Sequence, residues 1–363
     1  MPIREKSFRI GAGRYLQEKG ALSLIGNEVL RLGKKPLVIG GKTALSLTKK
    51  EIVKSLDCAG LEYEINEYTG TCNDESAQSF SEHAKECLFD VIVGVGGGVI
   101  MDFAKLIAHF AHLPVINVPT SSATCAAYTP LSVRYTPEGR TVGSKHYENE
   151  INGVIVDPEI IVTQPKRLLI SGAFDSLAKF VEIKQRFSDG VTDFPLGLDW
   201  AHTLSKKSFY DIVNGLEECI SDMEKVSVGD TFEKMIFNLI CTTGVISGIA
   251  RGSNQTALAH KFYEATRKRF FEESRPFLHG EIVGVGLILQ NFFNGEKEMN
   301  DFLISVMKKY SMPSCVKDMN ILQNDETKKV YFDELSVCSA IEDGNDDDLL
   351  KLQEALDYMW SIN

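Results

Sequence analysis

Val91-Ile92-Val93-Gly94-Val95-Gly96-Gly97-Gly98-Val99-Ile100-Met101-Asp102-Phe103-Ala104-Lys105 reads as a buried strand that runs into a turn of glycines and on into a helix. The start of this run has no polar face, as a strand covered on both sides requires. Glycines let the backbone approach a ligand closely, and the helix N-terminus offers unpaired N–H groups and positive partial charge to a pyrophosphate. The spacing Gly94-x-Gly96-Gly97-Gly98 matches neither Gly-x-Gly-x-x-Gly nor a P-loop, which needs Lys-Ser/Thr after it. An anion cradle and a tight structural turn are therefore both open on these residues. Asp102 reads as a carboxylate well placed near the start of a helix, and Lys105 as a residue of its solvent face.

Outward from this stretch, short β-rich runs alternate with helical patterns, the signature of a parallel sheet covered by helices. Strands are expected at Pro36 to Ile39, Tyr63 to Tyr68, Val91 to Val95 and Val115 to Val118, with further β segments at Leu131 to Tyr135 and Gly153 to Val156. Helices are expected near Thr43 to Leu56, Asp74 to Cys87 and Val99 to Phe110, where apolar residues recur every three or four positions. After Gln164-Pro165 the texture becomes almost wholly helical: Pro165 to Phe187, His202 to Cys219, Asp230 to Ile249, Thr256 to Phe270, Glu281 to Phe293 and Met299 to Lys309. The simplest organisation is an α/β nucleotide-binding domain over 1–164 and an all-helical domain over 165–363.

The 363 residues suit two domains at roughly 150 residues each. Hydrophobic residues are 44% and charged residues 25%, an ordinary globular balance. A net charge of -11 argues against non-specific binding to nucleic acid or a membrane surface, which needs basic patches. Glu342, Asp343, Asp346, Asp347 and Asp348 carry five of those charges and read as one solvated loop. No secretion signal follows Met1, and the uncharged stretch Met235 to Ala250 reads as too short and too polar to span a bilayer. The eight cysteines are never closer than 14 positions, so there is no Cys-x-x-Cys pair, and free thiols in the cytoplasm are expected.

The run Gly96-Gly97-Gly98-Val99-Ile100-Met101-Asp102-Phe103-Ala104-Lys105 resembles the Gly-Gly-Gly-x-x-x-Asp-x-Ala-Lys segment of the iron-type (group III) alcohol dehydrogenases, in particular the glycerol dehydrogenase branch. Further segments agree in order: Pro119-Thr120 to Ala126 with Leu131-Ser132-Val133-x-Tyr135, Gly172-Ala173-Phe174-Asp175, Ala259-His260, and His279-Gly280-Glu281. The resemblance implies a Rossmann-like α/β N-terminal domain plus an all-α C-terminal helical domain, the dehydroquinate synthase-like fold. It also implies NAD(P), one divalent metal (zinc or iron), a small-molecule substrate and a homo-oligomer.

By resemblance, Asp175, His260 and His279 hold the metal and act in catalysis through it. From spacing alone these three fit no short-motif template, although two histidines and a carboxylate make a chemically sensible open site for Fe(II) or catalytic Zn(II). The other histidines (83, 109, 112, 146 and 202) match no ligand segment and read as structural or surface residues. Implied cofactor contacts are Gly96, Gly97 and Gly98, the last two at the pyrophosphate, with Asp102 near the nicotinamide half. Thr120, Thr124, Thr129, Leu131 and Tyr135 match positions flanking adenine, ribose and nicotinamide.

Two departures bear on specificity. Many NAD-using relatives have an acid where this chain reads Gly40-Gly41-Lys42; its absence beside Gly41 and Lys42 permits NADP(H), while Lys42 as a solvated loop residue stays open. Cys125 stands where typical glycerol dehydrogenases carry an aspartate that bonds substrate hydroxyls, and a thiol is a weak donor and poor acceptor. The segment Ala123 to Val133 is more similar to the hydroxycarboxylate dehydrogenase branch. A 2-hydroxy/2-oxo carboxylate substrate, with Cys125 in its pocket, is the expectation. The alternatives are glycerol dehydrogenase proper, a sugar-phosphate cyclase, and a non-catalytic nucleotide-binding protein. The cyclase needs a basic cluster that the segments around Asp175 and His260 do not display.

Overall fold

A computed structural model describes residues 10–187, 195–250, 254–339, 341 and 345–362. Eight strands lie among these: β1 (Tyr15–Gln17), β2 (Pro36–Gly40), β3 (Glu64–Glu67), β4 (Val91–Gly96), β5 (Val115–Pro119), β6 (Leu131–Tyr135), β7 (Thr141–His146) and β8 (Gly153–Val156). Six of them form one sheet in the order β1-β8-β5-β4-β2-β3, parallel at every pairing. β2, β4, β5 and β8 are buried along their whole length, which is why they read as continuous apolar runs. β6 and β7 pair antiparallel with an irregularity at Arg134/Tyr135.

Two strands escaped the sequence reading. β1 has three half-buried residues and is held by pairing with β8 (Tyr15↔Val154). β7 is half exposed and is held by β6. Neither has an apolar periodicity of its own, since pairing rather than burial supports it.

The helices among these strands are α1 (Ile25–Leu30), α2 (Lys42–Cys58), α3 (Asp74–Glu86), α4 (Gly98–Ala111) and α5 (Pro158–Ile161). α4 is buried almost throughout. A Cβ on Gly94 would lie 2.5 Å from the Ala104 Cβ, so the glycine lets α4 lie directly on β4.

The later chain contains α6 (Lys166–Gln185), α7 (Leu196–Lys225), α8 (Asp230–Phe237), a π turn (Asn238–Thr242) and α9 (Thr243–Ala250). It continues with α10 (Leu258–Arg269), α11 (Phe271–Ser274), α12 (His279–Phe293), α13 (Glu298–Lys309), α14 (Asp325–Leu335) and α15 (Asp346–Ser361). The continuous helical run Asp230–Ala250, five residues longer than the uncharged stretch, is long and apolar enough to cross a membrane by length and composition only, and 61% of its apolar window is buried inside the fold, as in a core helix.

By packing, the chain divides into two compact units, one of Arg9–Leu169 with Asn214–Gly248 and the other of Ile170–Val213 with Ile249–Asn363. This grouping differs from a cut after residue 164. Within the first unit, Gln17 Nε2 donates to the Glu233 carbonyl at 2.9 Å, and the Tyr15 ring meets Phe237 edge-on at 5.6 Å. Helical sequence from the later half therefore packs beside the edge strand β1. In the second unit, α10 and α12 pack through Leu258, Phe262, Ile282 and Val285, joined by Leu335 of α14 and Leu352 and Leu356 of α15.

The acidic run is corrected in part. Asp346, Asp347 and Asp348 are not a loop: they form the first turn of α15, whose N-cap Asn345 accepts the N–H groups of Asp347 and Asp348. Negative charge is favourable there. Glu342 and Asp343 lie outside the described residues.

Candidate functional site

The sheet order places a topological switch between β2 and β4: β2 runs outward to β3, and β4 returns on its other side toward β5. Open α/β sheets bind ligands at the carboxyl ends of strands at such a point. Here the Gly41 N–H donates to the Val95 carbonyl at 3.1 Å and the Thr120 N–H to the Gly96 carbonyl at 2.9 Å. Three of the expected cofactor segments, around Gly41, Gly96 and Thr120, are thereby joined. Gly97 is the N-cap of α4 and supplies no side-chain cap, which leaves this helix end to a ligand's anionic group. A Cβ on Gly98 would come within 3.0 Å of Thr124 Oγ1. Lys42 is exposed at the first position of α2.

Lys105 is not on a solvent face. It is 2% exposed, pairs with Asp102 Oδ1 at 2.8 Å, and donates to the carbonyls of Ala126, Thr129 and Leu131. Asp102 Oδ2 accepts the Val133 N–H at 2.9 Å, and the Asp102 carbonyl accepts Ser132 Oγ at 2.7 Å. Burial pushes the Asp102 carboxyl up, against the opposing pull of Lys105. The pair fastens residues 126–133 to α4, so Thr129 and Leu131 fall on one anchored segment, and Thr124 and Cys125 immediately precede it. The Cys125 carbonyl accepts the N–H groups of Tyr128 and Thr129, and the residue is half-buried. Farther along, the Tyr135 N–H donates to the Cys72 carbonyl at 2.8 Å.

In the second unit, Asp175 on α6, His260 on α10 and His279 at the start of α12 converge, with ligand atoms all within 4.8 Å of one another. Asp175 Oδ1 lies 3.3 Å from His260 Nε2 and 3.2 Å from His279 Nε2. Glycines permit the convergence: a Cβ on Gly280 would sit 1.8 Å from the Ser171 carbonyl oxygen, and one on Gly286 2.6 Å from that of Ala259. Asp175 and His260 are buried, whereas the His279 side chain is 30% exposed. Burial opposes charge on Asp175, but His279, His260 and Lys179 outweigh it and hold the carboxyl well below the usual range.

Two members of this cluster were not foreseen. Glu182 is fully buried; its Oε1 accepts the N–H groups of Ala257 and His260, and its Oε2 lies 2.5 Å from His260 Nδ1. The same carboxylate therefore caps α10 and orients the ring. Lys179 Nζ lies 3.3 Å from His260 Nε2. Both follow Asp175 on one face of α6, at four and seven positions, and a charged residue in Phe180-Val181-Glu182-Ile183 was the available signal.

The donor set fits a divalent ion. Two neutral imidazoles and a carboxylate suit zinc or iron, and a carboxylate on Nδ1 leaves the Nε2 lone pair free to ligate.

Residues 12–158 match the family model described as iron-containing alcohol dehydrogenase. Hydroxycarboxylate dehydrogenase A of Escherichia coli K12 is 26% identical over 293 residues, 80% of this chain and 78% of that protein. A glycerol dehydrogenase of Thermotoga maritima is 27% identical over 323 residues, 85% of this chain and 84% of that one. The crystal structure of glycerol dehydrogenase from Schizosaccharomyces pombe shares the fold at a TM-score of 0.81 and 22% identity, covering 99% of this chain and 91% of that one. The chain is thus a dehydrogenase of the kind that acts on CH–OH groups, similar over residues 12–158 to the iron-containing alcohol dehydrogenases. Its glycine turn fits NAD(P) and its Asp-His-His cluster fits one divalent ion.

Proposed function

We propose that this enzyme transfers hydride between NAD(P) and a small 2-hydroxy/2-oxo carboxylate. The residue that carries the reading is Cys125, between β5 and β6 and just before the anchored segment, which by resemblance stands in the position where glycerol dehydrogenases carry an aspartate. A neutral thiol removes the repulsion that a carboxylate there would exert on an anionic substrate. The similarity to hydroxycarboxylate dehydrogenase A supports it.

Asp175, His260 and His279 would hold the metal. A divalent ion in such a site supplies a Lewis acid that favours the deprotonated alcohol or polarises the carbonyl. Asp175 contributes the anionic ligand, and Glu182 keeps the His260 proton on Nδ1 so that Nε2 faces the cluster. Gly97 and Gly98 would receive the pyrophosphate, with Gly96 completing the cofactor turn. Gly41 and Lys42 flank the adenosine end, and Thr120, Thr124, Thr129, Leu131 and Tyr135 flank the remaining cofactor. Asp102 serves this half by anchoring the segment that carries them. Bound there, the nicotinamide would supply the hydride acceptor for alcohol oxidation and the hydride donor for carbonyl reduction, with the hydroxyl proton exchanged with solvent.

The enzyme acts in this reading as a cytoplasmic homo-oligomer, and eight free thiols agree with a reducing compartment. A panel of 2-oxo acids, aldehydes, dihydroxyacetone and glycerol, crossed with both nicotinamide cofactors and with zinc or iron, tests the function. Reduction of 2-oxo acids is expected. Strong glycerol oxidation with no turnover of 2-oxo acids would establish the second reading, glycerol dehydrogenase, which the similarity to the Thermotoga maritima enzyme favours.

A further inference from the structure

We propose that the Lys179 ammonium receives the substrate carboxylate and thereby sets the choice of a 2-oxo acid over a neutral ketone or polyol. The inference rests on the hydride-transfer reading of the same site. Lys179 lies one helical turn beyond Asp175, so both side chains leave the same face of α6. It is 6% exposed, with Nζ 3.3 Å from His260 Nε2 and 3.5 Å from Gln255 Oε1.

The charge count asks for an anion. Among the described residues, Asp175 and Glu182 bring two negative charges to the cluster, and two metal-ligating histidines, neutral as ligands, bring none. A divalent ion balances the carboxylates and leaves the Lys179 charge over, in a place where an uncompensated charge is costly. The Nε2 lone pair facing Lys179 is also the one a ligated ion takes. The ammonium donor directed at that nitrogen then needs another acceptor close to the reacting carbon. A carboxylate adjacent to the carbonyl supplies both the missing charge and the acceptor oxygens, whereas a polyol supplies no charge. Charge-assisted pairing in such surroundings is strong enough to select between the two.

The test uses zinc-loaded enzyme with NADH and compares 2-oxobutyrate with 1-hydroxy-2-butanone, in which CH2OH replaces the carboxylate. Lys179→Gln is expected to lower kcat/KM for 2-oxobutyrate by about 10- to 100-fold, chiefly through KM, as for a lost hydrogen bond to a charged group. The loss on 1-hydroxy-2-butanone should be smaller, so that the ratio of kcat/KM for 2-oxobutyrate to that for 1-hydroxy-2-butanone falls, and Lys179→Arg should recover part of that ratio. Two readouts independent of turnover accompany it: oxamate affinity by calorimetry should fall by a similar factor, and zinc affinity by chelator competition should hold or tighten. Equal loss on both substrates, a fall in zinc affinity, or unchanged oxamate binding would overturn the proposal. Should the wild type reduce no 2-oxo acid, the proposed function fails on its own. Oxamate binding that is lost in Lys179→Gln then still identifies Lys179 as a carboxylate receptor, and equal or absent binding rejects it.

Discussion

Glu182 grips His260 at two points: Oε1 accepts its backbone N–H at 2.9 Å, and Oε2 lies 2.5 Å from Nδ1 of its ring. The first contact fixes where α10 begins and the second fixes which nitrogen faces Asp175. Burial disfavours charge on Glu182, yet His260 and Lys179 hold its carboxyl below the usual range. Glu182→Gln replaces an acceptor by an amide donor against Nδ1. Metal affinity should fall by about 10- to 100-fold, the usual cost of losing such a partner, as read by competition with a chromogenic chelator.

Asp175 lies within 3.3 Å of both histidine nitrogens, so Asp175→Asn should cost metal occupancy and activity together. Chelation of the wild type should abolish activity and lower Tm, because a ligand that binds only the folded state stabilises it. Reloading with zinc or iron should restore both. Full activity after verified metal removal would refute the metal assignment.

Gly280→Ala adds a Cβ 1.8 Å from the Ser171 carbonyl oxygen. α6 and α12 must then separate, and with them Asp175 and His279. Stability should drop by about 1–3 kcal/mol or more, the range of overpacked cores, in a denaturant titration. Metal content should fall in the same variant.

Lys105→Met leaves the Asp102 carboxylate buried with its ammonium partner gone. Removing one member of a buried pair costs about 3–5 kcal/mol. The double variant Asp102→Asn/Lys105→Met should recover part of that loss, since no charge is then stranded. Both should weaken NADH binding by fluorescence titration, because the carbonyls of Ala126, Thr129 and Leu131 lose their common donor.

Cys125→Asp restores the carboxylate of the glycerol dehydrogenase branch. The ratio of kcat/KM for glycerol to that for a 2-hydroxy acid should rise. An unchanged ratio would remove Cys125 from the substrate pocket.

Much of the α/β half was legible in the sequence because its strands are buried on both faces, and an apolar run bounded by turn residues reports that burial directly. β1 and β7 were not legible, since a three-residue edge strand and a half-exposed ribbon depend on partners remote in sequence. The glycine turn was visible as a candidate anion site. Its junction with Gly41 and Thr120 became visible only through the order of β2, β4 and β5. For the metal ligands, spacing offered nothing, and resemblance to a family alone singled out Asp175, His260 and His279. Lys105 was misplaced because an isolated lysine in a helix is usually solvated; this one has three carbonyls and a carboxylate to offset its burial.

The sequence by itself determined the alternation of strand and helix, the glycine turn that opens α4, and the residue types able to bind an anion or a divalent ion. These depend on local patterning and on side-chain chemistry, which need no partner. The tertiary structure decided that α6, α10 and α12 meet closely enough for two histidines to share one carboxylate oxygen, and that Glu182 and Lys179 belong to the same cluster. It also decided that residues 214–248 pack beside β1. Those outcomes turn on which helices can approach, and that is set by glycines opposite backbone carbonyls and by buried charges that must find one another across 75 or more positions of chain.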